Sequence, residues 1–276
     1  MKQSIVEREI TNFSKVNVYC TAFESIQEFK TFCDTAPLNN LWKYGAKMQS
    51  ITGTHKFTQT KSYEEASHLL LNGWTAGAEN LNVELKLANR STHTKEVQKA
   101  VFDIVGFQAS VPRYLQGIPT NMISKRNVVQ KQRVVTLIKG VNYAASVKPE
   151  QILKDSIKFI QIVQAIEKKG IRVNIDVLWH TKTNNEEILL RVRIKKANER
   201  LNVSKMSYPL LHPSFLRRHA LRMLEVEPRI TDNEFTNGYG YPGQPNETRQ
   251  LLNDQEYYVG ALEVKYITDV LTDKIN

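Results

Sequence analysis

The chain has 276 residues, 41% hydrophobic and 24% charged, with 38 Lys and Arg against 28 Asp and Glu for a formal charge of +10. That composition excludes a disordered or collagen-like chain and is ample for a sizeable core. No apolar run approaches a membrane span, and only two cysteines, Cys20 and Cys33, exclude a disulfide framework and predict buried, inert thiols in a reducing compartment. The opening stretch MKQSIVEREITNFSK lacks the apolar centre of a signal peptide, which predicts a cytoplasmic protein with no membrane partner. Val16 to Cys20 reads as a short strand and Phe23 to Phe32 as a helix, while residues 35–58 lack periodicity. Ser62-Tyr63-Glu64-Glu65 has the form of a capping box, and Ala66, Leu69 and Leu70 continue that helix. Asn72-Gly73 ends it, Trp74 is placed to pack back, and a second helix spans about Ala76 to Ala88. Residues 97–112 are apolar and β-like, closing at Val111-Pro112. The segment Tyr114 to Met122 is a loop punctuated by Gly and Pro.

The basic stretch Lys125 to Arg133 leads into a βαββ block, Arg133 to Lys196. Val134, Val135, Leu137 and Ile138 form a nearly continuous apolar run, as for a strand buried on both faces. Gly140 ends it, and Pro149 suits the first turn of a helix. Ile152, Leu153, Ile157, Ile160, Val163 and Ile166 keep helical spacing to a stop at Lys168-Lys169-Gly170. Val173, Ile175, Val177 and Trp179 then alternate with Arg172, Asn174, Asp176 and Leu178 at period two. After a polar turn, Ile188 to Ile194 is a third strand with Arg191 and Arg193 on one face. Strand, helix, strand predicts parallel pairing of 133–138 with 172–179 through a right-handed crossover, with helix 150–168 on one face.

Beyond the block, Leu211-His212-Pro213-Ser214 precedes a helix from Phe215 to Glu225. Residues 228–248, with Gly238, Gly240, Gly243, Pro242 and Pro245, form a loop; Tyr257 to Tyr266 is a strand or a helix, and the tail to Asn276 is a helix. The chain shows no repeat and no linker. It reads as a single α/β domain: an N-terminal elaboration over about 1–132, a central block over 133–230, and a C-terminal loop and tail over 231–276.

Several phrases add up in this order: Gly73 to Gly77 (GWTAG), Leu115 to Met122 (LQGIPTNM), the central block, and His212 to Glu225 (HPSFLRRHALRMLE). Together, over roughly residues 20–245, the chain resembles an uncharacterised family encoded by bacteriophages and related mobile elements. The resemblance implies a phage context and no particular chemistry. The block itself resembles a von Willebrand factor A-like α/β sheet, implying a partly parallel sheet with flanking helices. In that fold the loop after the first strand carries Asp-x-Ser-x-Ser and binds a divalent cation. Here the loop is Gly140 to Ser146 and the Asp is absent, so no metal or other cofactor is expected.

The charge is uneven. Residues 121–230 carry 22 Lys and Arg against 9 Asp and Glu, whereas residues 231–276 carry 3 against 8. A basic middle suits a polyanion, or equally a surface whose charges pair within the fold. The candidate contacts are Lys125, Arg126, Lys131 and Arg133 before the first strand, Arg191 and Arg193 on the third, and Arg217, Arg218 and Arg222 on the later helix. Lys139, Asn142, Tyr143 and Ser146 sit at the carboxyl end of a strand, where ligands usually bind, or form a plain connection. His212 and His219, with no third ligand nearby, suit capping and packing. Two Glu-x-Lys triplets, Glu84 to Lys86 and Glu263 to Lys265 with Asp254 ahead of the second, match a metal-dependent nuclease only at the level of a short motif. Asp176 is placed on a solvent face. No nucleophile elbow, P-loop or dinucleotide fingerprint is present. The resulting expectation is a non-enzymatic protein that binds DNA or RNA. The alternatives are a virion structural or assembly protein, with other phage proteins as partners, and the nuclease.

Overall fold

The computed structural model describes residues 2–11, 14–39, 49–79, 96–129, 133–143, 147–182, 186–228 and 256–262. The chain falls into two compact units, one comprising 1–87 with 134–276, the other 88–133.

The apolar run at the head of the block forms a strand of the larger unit. With β1 (Lys2–Thr11), β2 (Ser14–Phe23), β3 (Glu96–Asp103), β4 (Gln108–Ala109) and β5 (Met122–Val129) preceding it in sequence, it is β6 (Val134–Gly140). Val135, Leu137 and Ile138 are fully buried, as a strand covered on both faces requires. Pro149 opens the helix that follows, Pro149–Lys168, whose residues Ile152, Ile157, Ile160, Val163 and Ile166 face inward. Gly170 ends it at φ +82°, the left-handed conformation that glycine adopts without steric cost. The chain returns as β7 (Arg172–Lys182), parallel to β6 in the register Val135 to Val173 and Leu137 to Ile175, so the expected pairing holds. β8 (Glu186–Lys195) turns back antiparallel to β7. β9 (Glu256–Val259) lies parallel to β6, so residues 256–259 are strand.

The strand foreseen at Val16 to Cys20 extends over Ser14–Phe23 and pairs parallel with β8. The six strands stand in the order β1-β2-β8-β7-β6-β9, a mixed and mostly parallel sheet. Its main core lies between one sheet face (Val135, Leu137, Ile175, Val177, Trp179, Leu190, Val192) and helical residues including Phe29, Leu70, Phe159, Ile160, Tyr208, Phe215 and Met223, and a second small cluster of Ile138, Leu178 and Leu189 lies apart from it. The helices are α1 (Ile26–Thr35), α2 (Tyr63–Asn72), α3 (Val111–Leu115, in the other unit), α4 (Pro149–Lys168), α5 (Val203–Leu211) and α6 (Leu221–Val226), with single turns at Gln49–Thr52 and His55–Thr58. Ser62 caps α2 as read, its Oγ accepting from the Glu65 amide at 3.2 Å, but Glu65 accepts from the Lys61 amide and not from that of Ser62, so only half of the capping box forms. Trp74 packs back as expected, its amide donating to the Ser204 carbonyl at 3.1 Å. Residues 75–79 are helical; the rest of the expected 76–88 helix lies outside the described residues, as do the tail and the loop 229–248.

Three readings need correction. The helix expected over Phe215 to Glu225 is a π-helix over Phe215–Ala220 followed by α6. The wider turn accompanies the complete burial of Arg218, which a solvent-facing α-helix would not accommodate. The apolar stretch 97–112 is not continuous strand: β3 stops at Asp103, and Pro112 sits in the first turn of α3. Asp176 is on no solvent face, being only 1% exposed, because two arginines on β8 enclose its carboxylate.

The smaller unit carries a three-stranded antiparallel sheet in the order β3-β5-β4, in the register Phe102 to Ile123 and Ala100 to Lys125. Between residues 100 and 125 no side chain is buried.

Candidate nucleic-acid interface

The two arginines of β8 are bound within the fold, while Lys148, Lys154, Lys158, Lys168 and Lys205 of the central block are exposed. On β8, Arg193 Nε donates to Asp176 Oδ1 at 2.8 Å and its Nη1 to Glu24 at 2.7 Å, while Arg191 bridges Asp176 and Glu256. The period-two pattern placed both guanidiniums on one face. It could not show that a carboxylate from the neighbouring strand would neutralise them there.

Arg217, Arg218 and Arg222 part company. Arg218 has no exposed surface, and its five N–H groups share six contacts to oxygens of Ser50, Ile51, Gly53, Thr58 and Thr60 at 2.7–3.3 Å. Arg222 donates from Nε to the Cys33 carbonyl at 3.1 Å and lies 3.5 Å from Glu225. Arg217 stacks on Phe57, with the guanidinium carbon 4.2 Å from the ring centre, and donates to the Phe57 carbonyl.

At the end of β6, the Lys139 ammonium is buried 2.6 Å from the Asp155 carboxylate and 2.7 Å from the Gly260 carbonyl. Tyr143 donates its hydroxyl to the same Asp155 at 3.2 Å, and burial beside that carboxylate pushes its pKa well up. The Asn142 amide bonds to both backbone groups of His180, accepting from its N–H at 3.0 Å and donating to its carbonyl. The side chain that would have to stand in for a metal-binding aspartate is therefore spent on the backbone. Ser146 lies outside the described residues. Among the described residues no group of three metal-binding side chains converges. Both Glu-x-Lys triplets and Asp254 lie outside them.

The two histidines serve packing and capping, as read. His219 is fully buried, its ring nitrogens 3.0 Å from the Tyr208 hydroxyl and 3.4 Å from Ser67 Oγ. Burial lowers its pKa to about 3, and that of His212 to about 4. The unfolded chain takes up protons on both below about pH 6.5, while the folded chain excludes them down to about pH 4 and 3. Stability must therefore fall as the pH falls through that window, by about 1.4 kcal/mol per unit for each histidine. We expect the urea midpoint to drop steadily from pH 6.5 to about pH 4.5, and His219→Phe to flatten the slope. A midpoint unchanged by pH in both proteins would contradict this.

Besides Arg217 over the exposed Phe57 in the larger unit, cations at a surface with aromatic neighbours lie in the smaller unit. It holds eight Lys and Arg against two Asp and Glu. Phe102 and Phe107 are 51% and 62% exposed, and Tyr114 is exposed as well. The Arg113 guanidinium lies 4.1 Å from the centre of the Phe102 ring, and the Lys125 ammonium 5.3 Å from that of Phe107. Phe102, Ile123 and Lys125 share one sheet face by register. Arg126 follows on β5 opposite Lys99; its side chain and Lys131 lie outside the described residues. Of the expected contacts, then, Lys125 stands in an aromatic and cationic surface. Phe102, Phe107, Arg113 and Tyr114 were missed, because an apolar stretch reads alike whether or not the fold covers it.

A family model described as Domain of unknown function (DUF7192) matches residues 4–271. The chain belongs to the DUF7192 family. No curated protein and no solved structure matches it. The DUF7192 match spans both units. No helix among the described residues is long and apolar enough to cross a membrane.

Proposed function

We propose that this chain is a non-enzymatic nucleic-acid-binding protein whose contact surface is the 88–133 unit. The observation that carries the reading is the pair of half-exposed phenylalanine rings, each with a cation over it, on a unit of strong positive charge. Exposing such rings forgoes about 1.5–3 kcal/mol each relative to burial. A base stacked on an aromatic ring returns about 1–3 kcal/mol, and neighbouring cations meet the phosphates. Stacking needs unpaired bases, so single strands should bind more tightly than duplex. The phrase-level resemblance to a phage-encoded family supports a phage setting. The parallel β6-α4-β7 unit is compatible with a von Willebrand factor A-like core that has given up its metal loop.

Fluorescence anisotropy with labelled oligothymidine, oligouridine and duplex DNA, from about 50 to about 200 mM salt, tests the proposal. Binding should weaken with salt. Phe102→Ala with Phe107→Ala should cost about 10- to 100-fold at unchanged salt slope, as expected for loss of stacking. Arg113→Ala with Lys125→Ala should flatten the slope by about one to two ions. No binding at micromolar protein, or no effect of the phenylalanine changes, would refute it.

A second reading, a structural or assembly protein of the virion, is favoured by Ile104, Val105 and Leu115, which are 69%, 78% and 79% exposed. Aliphatic side chains offer little to a base and much to a protein surface. Chemical cross-linking that captures a protein partner through residues 104–115, with no retention of nucleic acid, would favour this reading.

A further inference from the structure

Tyr143 and Arg217, read from sequence as parts of separate surfaces, line one cavity of about 410 Å³ in the larger unit. Four segments build it: the end of β6, the first turns of α4, the junction from α5 into the π-helix, and the turn around Trp74. The size falls in the range of small-molecule sites. Its wall is largely apolar, with Trp74, Val141, Ile152, Leu153, Leu210 and Phe215 contributing. Gly77 lets the wall close: a Cβ there would stand 2.1 Å from the Trp74 ring.

The polar groups on this wall are few, and two of them are donors with capacity to spare. Arg217 is held by Phe57 through its ring and carbonyl, and no carboxylate among the described residues lies within ion-pair distance of it. One guanidinium N–H is used in that contact, which leaves the others for a ligand. His212 is clamped between Trp74, edge-on at 4.7 Å, and Tyr208, stacked at 5.2 Å. Its Nδ1 accepts from the Ser214 amide at 3.1 Å, so in the neutral ring the proton sits on Nε2. Nε2 has no partner among the described residues. Its low pKa keeps that tautomer neutral and donating at physiological pH.

We propose that this cavity binds a small monoanionic organic acid, an apolar aromatic or aliphatic body bearing one carboxylate, with the carboxylate on Arg217. One guanidinium without a carboxylate partner balances one negative charge, and the apolar wall takes the body. Glu150, also on the lining, adds a negative charge that disfavours a phosphate dianion. The inference is independent of nucleic-acid binding, since it uses no residue of the 88–133 unit.

Isothermal titration and saturation-transfer NMR of the full chain with 4-phenylbutyrate, 4-phenylbutyramide and adenosine monophosphate test it. The acid should bind with micromolar to millimolar affinity, at least about 10-fold more tightly than the amide or the nucleotide. Its affinity should stay flat from about pH 5.5 to 8, because His212 does not titrate there. Arg217→Gln should cut acid affinity about 10-fold and leave the amide unchanged. Leu153→Trp, which fills the cavity, should abolish both. The acid-to-amide ratio in the unaltered protein stands even where a variant folds poorly. No binding of the acid at millimolar concentration, equal binding of acid and amide, or tighter binding of the nucleotide would overturn the proposal.

Discussion

Replacing Arg218 by Met should destabilise the protein by about 4 kcal/mol or more, read from urea denaturation. The guanidinium is fully buried and satisfies oxygens from five residues between Ser50 and Thr60, a segment of two single helical turns. A hydrogen bond to a charged group contributes about 1.5–3 kcal/mol, and the oxygens abandoned by Met would stay buried without donors. The six contacts are not additive, which keeps the expected loss well below their sum. Lys should not rescue, because a single ammonium cannot span acceptors that a planar fork reaches. Total stabilities are about 5–15 kcal/mol, so the variant should sit near its unfolding threshold. Arg217→Gln, one residue away on the same π-helix but only half-buried, should change stability by less than about 1 kcal/mol. Similar losses at both positions would contradict the buried-network reading.

Asp176→Ala should cost about 3–5 kcal/mol, the typical penalty for removing one partner of a buried ion pair. Its carboxylate, 1% exposed, lies between Arg191 and Arg193, and its loss leaves two guanidiniums on the sheet face. Glu256 and Glu24 retain one contact to each, and both arginines keep some water contact, which draws the expected value towards the lower end. Replacing all three residues by apolar side chains of similar volume should recover much of the loss, since a buried ionic cluster is costly to break yet not costly to replace whole. A loss below about 1 kcal/mol for Asp176→Ala would mean that water reaches this face freely.

The parts of the fold legible in the sequence were the local ones. β6, α4 and β7 carry their own periodicity, proline start and glycine stop, and the short crossover leaves little choice of pairing. The pairing of β2 with β8 joins residues about 170 positions apart, and no local pattern specifies it. Arg191 and Arg193 could be placed on one face. Their neutralisation by Asp176 depends on the β7–β8 register, which the polar turn left open. The π-helix was illegible because the burial that accompanies it, Arg218 reaching residues 50–60, is a tertiary contact. The cavity was illegible for the same reason: its four segments become neighbours only in the folded chain. In the smaller unit, the apolar residues from Phe102 to Leu115 were visible. Their exposure was not, because hydrophobicity reports a tendency to be covered and never what covers it.

The most direct measurement is the location of contact. A single-stranded oligonucleotide carrying photoreactive bromouracil can be bound to the full chain at low salt, irradiated, and the cross-linked peptides sequenced by mass spectrometry. Cross-links should fall within residues 100–125, on Phe102, Phe107 or Tyr114, and should vanish at high salt with the binding itself. Cross-links concentrated instead on the segment from Arg191 to Arg222, with residues 100–125 untouched, would contradict the proposed interface.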